Sequence, residues 1–287
     1  MLSRRAFLFG LVTPVLQSQK TQRSMFADAE AYDRFMGRWS RLVAPRLVEF
    51  ARLPERGRLL DVGSGTGALA FAMAQRHHEA RILGIDPSKQ YVAYAVERNP
   101  YPDRARFEVG DAQRLHFDSA SFDGAASLLV FNFIPDPIEA PLELRRVTKP
   151  GGGISAAVWD YGAGMRMLRI FWDAAVSVDR DAEKLDERHM PLCRAGELSA
   201  LWKQGGLDHI QEQTMDIEMR FDSFADYWEP FLLGQGPAGS YARRLGRAKL
   251  DDLRREVIRL LGPSGEKAPF ALPARLWAVR GIVSSHP

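Results

Sequence analysis

The chain has 287 residues, which is long enough for one large domain or two small ones. Its residues are 46% hydrophobic and 26% charged, a composition typical of a globular protein with a full hydrophobic core. Its formal net charge is +3, but residues 1–24 contain four Lys or Arg and no acid. Without them the 39 basic residues fall to 35 against 36 acids, a net charge of about −1, which argues against a nucleic-acid-binding surface. The single cysteine, Cys193, excludes an internal disulfide and a cysteine-cluster metal site, and no metal site is predicted.

Residues 1–24 have the composition of a leader. Arg4-Arg5 and the short apolar run at residues 6–12 resemble a twin-arginine export signal, and Ala27-Asp28-Ala29 fits an A-x-A cleavage site. The run is too short for a membrane span. The alternative is a translation start assigned too early, with Met25 as the true start. In either case we expect the fold to occupy residues 25–287. The expected location is the cytoplasm, or outside it if the leader is translated.

Residues 59–67, with the sequence LLDVGSGTG, combine an apolar run with three glycines at alternate positions. A helix-forming segment follows at residues 68–74. The pattern predicts a buried strand, a tight turn and a helix amino terminus, where bare backbone and free N–H groups favour an anionic or carboxylate-bearing ligand. Gly63, Gly65 and Ala68 also satisfy the G-x-G-x-x-G/A fingerprint of dinucleotide-binding proteins, so this stretch alone does not identify the cofactor.

Acidic residues at the ends of the next two predicted strands help to distinguish between the possible cofactors. Asp86 ends a strand over residues 81–86, at a distance from the glycines where a carboxylate accepts hydrogen bonds from both ribose hydroxyls. Asp111 follows a strand over residues 105–109 and is placed for an adenine amino group, with the Ala112 N–H available to a ring nitrogen. A dehydrogenase does not need this second acid.

Further elements continue the alternation of a parallel α/β sheet. Residues 121–130 form a nearly unbroken apolar run, typical of a strand covered on both faces. A helix is expected to end at residues 143–147, and a fifth strand covers residues 154–159. Before the glycine loop, a helix is predicted over residues 41–50. The aromatic-rich residues 31–41 form either a lid over a ligand or an ordinary helix packed on the sheet.

Together these motifs resemble the class I S-adenosylmethionine-dependent methyltransferases, most of all the bacterial branch that includes the quinone-biosynthesis C-methyltransferases. The resemblance covers roughly residues 30–160. It is carried by Asp86 and by the motifs D-x-G-x-G-x-G at 61–67, G-D-A at 110–112, F-D at 122–123, I-P-D-P at 134–137 and E-L-x-R-V-x-K-P-G-G at 143–152. The quinone enzymes often have a His pair where this chain has Asn132-Phe133, so their substrate does not carry over.

The resemblance implies S-adenosyl-L-methionine as the cofactor and a set of residues that bind it. These residues are Tyr32, Asp61, Gly63, Ser64, Gly65, Gly67, Asp86, Pro87, Asp111, Ala112 and Leu128. Asn132, Phe133 and Tyr161 are the candidates for contact with the methyl acceptor, while no catalytic residue is assigned.

The implied fold is α/β: a doubly wound, seven-stranded, mostly parallel, Rossmann-like sheet with helical cap insertions at about residues 160–195 and 222–268. The last two strands, at residues 209–221 and 272–283, are expected to form the antiparallel hairpin at the sheet edge. Helices are predicted over residues 165–178 and 197–204. A further basic helix is predicted over residues 243–261, with Leu250, Leu253, Val257 and Leu260 on one face.

Methyl transfer by in-line displacement needs no catalytic triad and no metal, because the sulfonium donor already carries its leaving group. The protein must hold the nucleophile in line with the methyl group. A general base is needed only when the acceptor loses a proton early, and His189 and Cys193 are the cap residues considered for that role.

The predicted function is methyl transfer to a small, largely apolar or planar molecule, and neither a nucleic acid nor a protein is expected as acceptor. One alternative is a module that binds S-adenosylmethionine without transferring a methyl group. An NAD-dependent dehydrogenase is a further alternative, disfavoured by Asp111 and by the motif at residues 143–152. The acceptor atom and the oligomeric state are not predicted.

Overall fold

The computed structural model describes residues 28–262, 265 and 269–284, so the leader predicted at residues 1–24 lies outside the described residues. Seven strands form one sheet in the order β3-β2-β1-β4-β5-β7-β6. The strands are β1 (Arg56–Val62), β2 (Glu79–Asp86), β3 (Ala105–Val109), β4 (Phe122–Leu128), β5 (Thr148–Trp159), β6 (Leu207–Phe221) and β7 (Phe270–Val283).

Strands β1 to β5 are parallel, and β7 runs antiparallel between β5 and the edge strand β6. This confirms the predicted seven-stranded, mostly parallel sheet with an antiparallel pair at one edge. The chain order reverses at β1, whose neighbours are β2 and β4. In open α/β sheets such a switch point opens a crevice beyond the carboxyl ends of the strands.

Ten α-helices accompany the sheet in the described part of the chain. They are α1 (Ala29–Tyr32), α2 (Arg38–Ala51), α3 (Ala68–Arg76), α4 (Lys89–Glu97), α5 (Glu139–Val147), α6 (Arg166–Val178), α7 (Glu197–Gln204), α8 (Phe224–Leu232), α9 (Gly236–Arg244) and α10 (Arg247–Leu261). Within the described ranges, none of the helices is long and apolar enough to cross a membrane.

Helices cover both faces of the sheet. Side chains of α2, α3 and α4 join one buried cluster, which also contains Leu59 of β1. Side chains of α5 and α7 join a second cluster around Leu60 and Val62 of the same strand. Because successive side chains of a strand point to opposite faces, β1 contributes to both cores and is shielded on both sides. This burial fixes the strand whose end carries the glycine loop.

The amino-terminal segment is one helical stretch with an irregular middle. Helix α1 passes into a π-helical turn (Asp33–Gly37) and then into α2, which begins three residues earlier than the sequence predicted. The Arg38 guanidinium lies 2.7 Å from the Asp226 carboxylate of α8, so the turn is tied to the carboxyl-terminal helices. π-Helical turns often occur at functional sites.

The prediction of one basic helix over residues 243–261 is wrong. Helix α9 ends at Arg244, Leu245 and Gly246 are extended with ψ of 137° and 156°, and α10 starts at Arg247. The extended pair interrupts the helical hydrogen bonding, so α9 and α10 are two separate helices. Leu253 and Val257 are buried as expected, whereas Leu250 and Leu260 are only partly buried.

Candidate functional site

A cavity of about 320 Å³ opens at the carboxyl ends of β1, β2, β4 and β5. One end is formed by the glycine loop and by the residues that follow β2 and β3. The other end is formed by residues after β4 and β5, by Glu187 and by the start of α9. The wall consists of Tyr32, Phe35, Met36, Gly63, Gly65, Asp86, Pro87, Ser88, Tyr91, Gly110, Asp111, Ala112, Gln113, Leu128, Leu129, Val130, Phe133, Ile134, Pro135, Trp159, Tyr161, Glu187, Gly236 and Pro237.

The glycine loop is hydrogen-bonded to the end of β2. The backbone N–H groups of Gly63 and Ser64 both donate to the Ile85 carbonyl at 2.8 Å. Gly67 begins α3 with φ of 93°, in the left-handed region that glycine adopts at little cost. The sequence prediction of a tight turn between β1 and a helix is therefore confirmed.

Gly65 stands at the open centre of this loop. Its φ is 52°, and a Cβ placed on it would meet only the Gly63 carbonyl oxygen, at 4.0 Å. By contrast, a Cβ on Gly63 would lie 2.4 Å from Val130. The backbone at Gly65 is thus bare toward the cavity, and a ligand can lie directly against it.

Asp86 connects the loop to the end of β2. Its carboxylate accepts hydrogen bonds from the backbone N–H of Gly65 at 3.0 Å and from that of Ser88 at 2.8 Å. Burial raises the pKa of Asp86 to about 6, although these two hydrogen bonds lower it in part. Two N–H groups therefore fix a buried carboxylate in the cavity wall.

Asp61 lies beneath the loop, fully buried, and does not line the cavity. Among the described residues neither carboxylate oxygen has a well-formed hydrogen bond, and only the nearby Ala70 N–H offsets part of the burial. Burial raises its pKa to about 8, so the side chain is largely protonated at neutral pH. Ser64 and Gly67 are also absent from the cavity wall. Asp61, Ser64 and Gly67, which were predicted to bind the cofactor, therefore influence the site through the shape of the loop and do not line the cavity.

We call the part of the cavity between the glycine loop and the end of β3 the donor end. Asp111 and Ala112 lie at its mouth. The Asp111 carboxylate is exposed and accepts a hydrogen bond from the backbone N–H of Gln113 at 2.9 Å. Tyr32 of α1 covers the same end, with its ring 5.3 Å from that of Tyr91. Burial raises the Tyr32 pKa to about 12, so its hydroxyl keeps its proton.

The acceptor end is the opposite part of the cavity, and aromatic rings dominate it. Phe133, Trp159 and Tyr161 line it, and Phe35 reaches it from the π-helical turn. Asn132 is buried but not in the wall; its amide N–H donates to the Met190 sulfur at 3.7 Å, and its side chain lies near that of Tyr161. Two of the three predicted acceptor contacts, Phe133 and Tyr161, therefore line the cavity, and Asn132 lies next to Tyr161 outside the wall.

Glu187 is a wall residue that the sequence did not identify. It is 4% exposed and accepts a hydrogen bond from the Trp172 indole N–H at 2.7 Å. Burial raises its pKa to about 7. The base candidates His189 and Cys193 do not line the cavity; burial raises the Cys193 pKa to about 12, so this thiol keeps its proton at neutral pH. No motif distinguishes Glu187 from its acidic neighbours, since only its folded environment is unusual.

The charges in the wall have one sign. Its ionisable carboxyl groups are Asp86, Asp111 and Glu187, and no Lys, Arg or His occurs among the described residues that line it. Neutral apolar and aromatic side chains make up most of the rest. This lining favours cationic or neutral ligand groups and disfavours an anionic group at the acceptor end.

Comparison with known proteins agrees with this architecture. Residues 60–156 match the model of a methyltransferase domain. The 2-methyl-6-phytyl-1,4-hydroquinone methyltransferase of Synechocystis is 35% identical over 124 residues, which cover 43% of this chain and 39% of that enzyme. The malonyl-[acyl-carrier protein] O-methyltransferase of Geobacter sulfurreducens is 27% identical over 272 residues, or 93% of this chain and 99% of that enzyme.

A solved structure shows the same fold at low sequence identity. The Haemonchus contortus phosphoethanolamine N-methyltransferase 2 in complex with S-adenosyl-L-methionine has a TM-score of 0.57 and 19% identity, over 90% of this chain and 57% of that chain. The sheet order, the matched domain and the crevice at the glycine loop are consistent with one another. The chain therefore contains a methyltransferase domain over residues 60–156 and is similar in sequence and fold to S-adenosylmethionine-dependent methyltransferases.

Proposed function

We propose that this protein transfers the methyl group of S-adenosylmethionine to a small, neutral, largely apolar or planar acceptor. The observation that carries the proposal is the continuity of the cavity, which joins the glycine loop at one end to an aromatic-lined space at the other. Donor and acceptor bound in one enclosed space can meet in line, which is the main requirement of the displacement.

The donor end fits the chemistry of S-adenosylmethionine. Asp86 offers oxygen acceptors for the ribose hydroxyls, and the bare backbone at Gly65 allows close approach of the methionine part. Asp111 and Ala112 offer an acceptor and an N–H donor for the adenine. The bound cofactor supplies a methyl group on a sulfonium whose leaving group is a neutral thioether. An acidic wall suits this net positive ligand.

The acceptor end fits a flat or apolar molecule. Phe133, Trp159 and Tyr161 provide ring surfaces, and polar groups are few. A concave, largely apolar site with a few polar anchors is typical for drug-sized ligands. The shape and chemistry of this end therefore support the planar acceptor predicted from the sequence.

The charges in the cavity wall further limit which classes of acceptor molecule can bind. A malonyl carboxylate or a phosphate ester would enter beside Glu187 without a cationic side chain in the described wall to pair with it. Placing like charges together in a partly desolvated site is unfavourable. Of the acceptors in the names of the relatives above, a hydroquinone is neutral and fits this wall, whereas malonyl and phosphoethanolamine groups are anionic.

An ion-exchange experiment tests the charge of the acceptor. A bacterial small-molecule extract is divided into neutral, anionic and cationic pools, and each pool is incubated with the protein and methyl-labelled S-adenosylmethionine. We expect labelled product from the neutral pool. Label confined to the anionic pool would show that the acceptor class is wrong. If no pool is labelled although the cofactor binds tightly, the non-catalytic alternative gains support.

A further inference from the structure

A buried carboxylate faces the acceptor end of the cavity and has no part in holding the donor. On the basis of the methyltransferase function proposed above, we propose that Glu187 is the general base of the reaction and that the acceptor atom is a hydroxyl oxygen. Glu187 then contacts the acceptor itself, and the reaction is O-methylation of a neutral, planar hydroxy compound.

The Trp172 indole N–H of α6 donates a hydrogen bond to the Glu187 carboxylate at 2.7 Å. The backbone N–H of Ala238, in the first turn of α9, lies near enough to favour the charged form of this carboxylate. Glu187 also contributes to the cavity wall, together with Tyr161. A positioned carboxylate in contact with the acceptor space meets the geometric requirement for a general base.

The preceding residue, Asp186, fixes the backbone that carries Glu187. Its buried carboxylate lies 2.5 Å from the Arg169 guanidinium and 2.6 Å from Nε of Arg188, and it also accepts the Arg188 backbone N–H at 2.8 Å. These bonds lock the short 3₁₀ turn (Glu187–His189) against α6. Because Arg169 forms its ion pair with Asp186, its positive charge only partly stabilises the ionised carboxylate of Glu187.

The proton affinity of Glu187 suits transfer near neutral pH. Burial is the main cause that raises its pKa to about 7, and the Asp186 charge adds to the increase. The Trp172 hydrogen bond, the Arg169 charge and the Ala238 N–H act in the opposite direction. Tyr161 and Cys193, which also face this group, keep their protons at neutral pH because both have raised pKa values. A base is most effective when its pKa lies near the working pH.

The step balances without a further reactant. The acceptor hydroxyl oxygen forms a bond to the methyl carbon, and the bond from that carbon to sulfur breaks with its electron pair left on sulfur. The hydroxyl proton moves to the Glu187 carboxylate, which later releases it to solvent. Removing this proton during the attack makes the oxygen a stronger nucleophile and accounts for a carboxylate at an otherwise apolar end.

The test uses Glu187→Gln, which keeps the size and the hydrogen-bond acceptor for Trp172 but cannot take a proton. Glu183→Gln is the matched control, an exposed glutamate four residues earlier that does not line the cavity. The probes are a panel of neutral phenols, catechols and hydroquinones with methyl-labelled S-adenosylmethionine. We expect kcat to fall about 10²- to 10⁴-fold in Glu187→Gln, the usual contribution of a general base, with the control unchanged. Glu187→Asp should restore part of the loss.

Three further readouts separate a base from a merely structural residue. Calorimetry should give the same S-adenosylmethionine affinity for wild type and Glu187→Gln. In wild type, kcat should rise with pH through about 7, and Glu187→Gln should lack this rise. The product should carry the methyl group on oxygen.

Each other outcome contradicts one specific claim. A wild-type kcat without an ionisation near neutral pH, an unchanged kcat in Glu187→Gln, or methylation on carbon overturns the role of Glu187 while the methyltransferase function stands. If no probe accepts label although the cofactor binds, the proposed acceptor class itself fails. If wild type does not bind S-adenosylmethionine, the proposed function fails at its first step.

Discussion

The donor and acceptor ends of the cavity each contain a buried acid held by hydrogen bonding from N–H groups, but they are built in different ways. Asp86 is held by backbone N–H groups of Gly65 and Ser88, close to the ends of β1 and β2. Glu187 accepts a hydrogen bond from the Trp172 side chain of α6 and lies near the start of α9. The donor end depends on backbone shape, and the acceptor end depends on how separate segments that follow β5 pack together.

The largest expected effect comes from adding a side chain at the donor end. Gly65→Val should reduce S-adenosylmethionine affinity by more than about 100-fold, because a branched side chain would project into the bare part of the loop where the ligand lies. Isothermal titration calorimetry measures the loss, and circular dichroism checks the fold.

The matched control is Gly196→Val, at the start of α7. Gly196 also has a positive φ, of 81°, with open space around its Cβ position, and it does not line the cavity. The same backbone strain should then leave cofactor affinity unchanged. Normal affinity in Gly65→Val would mean that the ligand does not lie against the loop.

Removal of the Asp86 carboxylate should have the next largest effect. A charge-assisted hydrogen bond to a ligand contributes about 1.5–3 kcal/mol, so Asp86→Ala should weaken S-adenosylmethionine binding by roughly ten- to a hundredfold. Asp103→Ala removes an exposed carboxylate outside the cavity and should bind as wild type does. Unchanged calorimetric affinity in a folded Asp86→Ala protein would remove the ribose assignment.

Asp61 gives a pH test of the buried layer under the donor end. Burial raises the folded-state pKa of Asp61 from its ordinary value of about 4 to about 8, so between these pH values the folded protein binds one proton more than the unfolded chain. The Asp61 contribution to wild-type stability should therefore fall as pH rises from about 4 to 8 and level off above that range. Asp61→Asn should lose this contribution, keep the part of the dependence that comes from the raised pKa values of Asp86 and Glu187, and gain stability relative to wild type as pH rises.

Urea unfolding at several pH values measures this difference, with the exposed Asp103→Asn as control. Asp103→Asn should follow the wild-type pH dependence. A wild-type protein whose stability relative to Asp61→Asn increases with pH would show that Asp61 is ionised and paired in the fold.

The smallest effect is expected at the mouth of the donor end. Asp111 is exposed, so water screens its contact with an adenine amino group, and Asp111→Ala should weaken S-adenosylmethionine affinity by less than about tenfold. A loss larger than that of Asp86→Ala would reverse the expected ranking of the two acids and place the main polar anchor at the adenine.

The sequence predicted most of the sheet and much of the donor end because backbone geometry restricts residue types there. Left-handed turns require glycine, as at Gly65 and Gly67, and parallel strands buried on both faces require apolar runs, as in β4. The resemblance to class I methyltransferases and the sheet with its antiparallel edge pair followed from these patterns. The cofactor roles of individual residues remain predictions.

The acceptor end was much less predictable, because tertiary packing defines it. Glu187 looks like any surface glutamate in the sequence, and only the contacts with Trp172 and α9 make it a buried wall residue. Leu245-Gly246 carries no strong stop signal, so the sequence merged the end of α9 with α10. Asn132 was expected at the crevice mouth, but it lies next to Tyr161 and packs against Met190.

The most direct test of the central claim is a methyl-transfer assay on three fractions of a bacterial extract: lipids and small molecules, total RNA, and total protein. Each fraction is incubated with methyl-labelled S-adenosylmethionine and either wild type or Gly65→Val. The account predicts label in the lipid and small-molecule fraction with wild type and none with the variant. Label only in RNA or protein, or equal label with Gly65→Val, would contradict it.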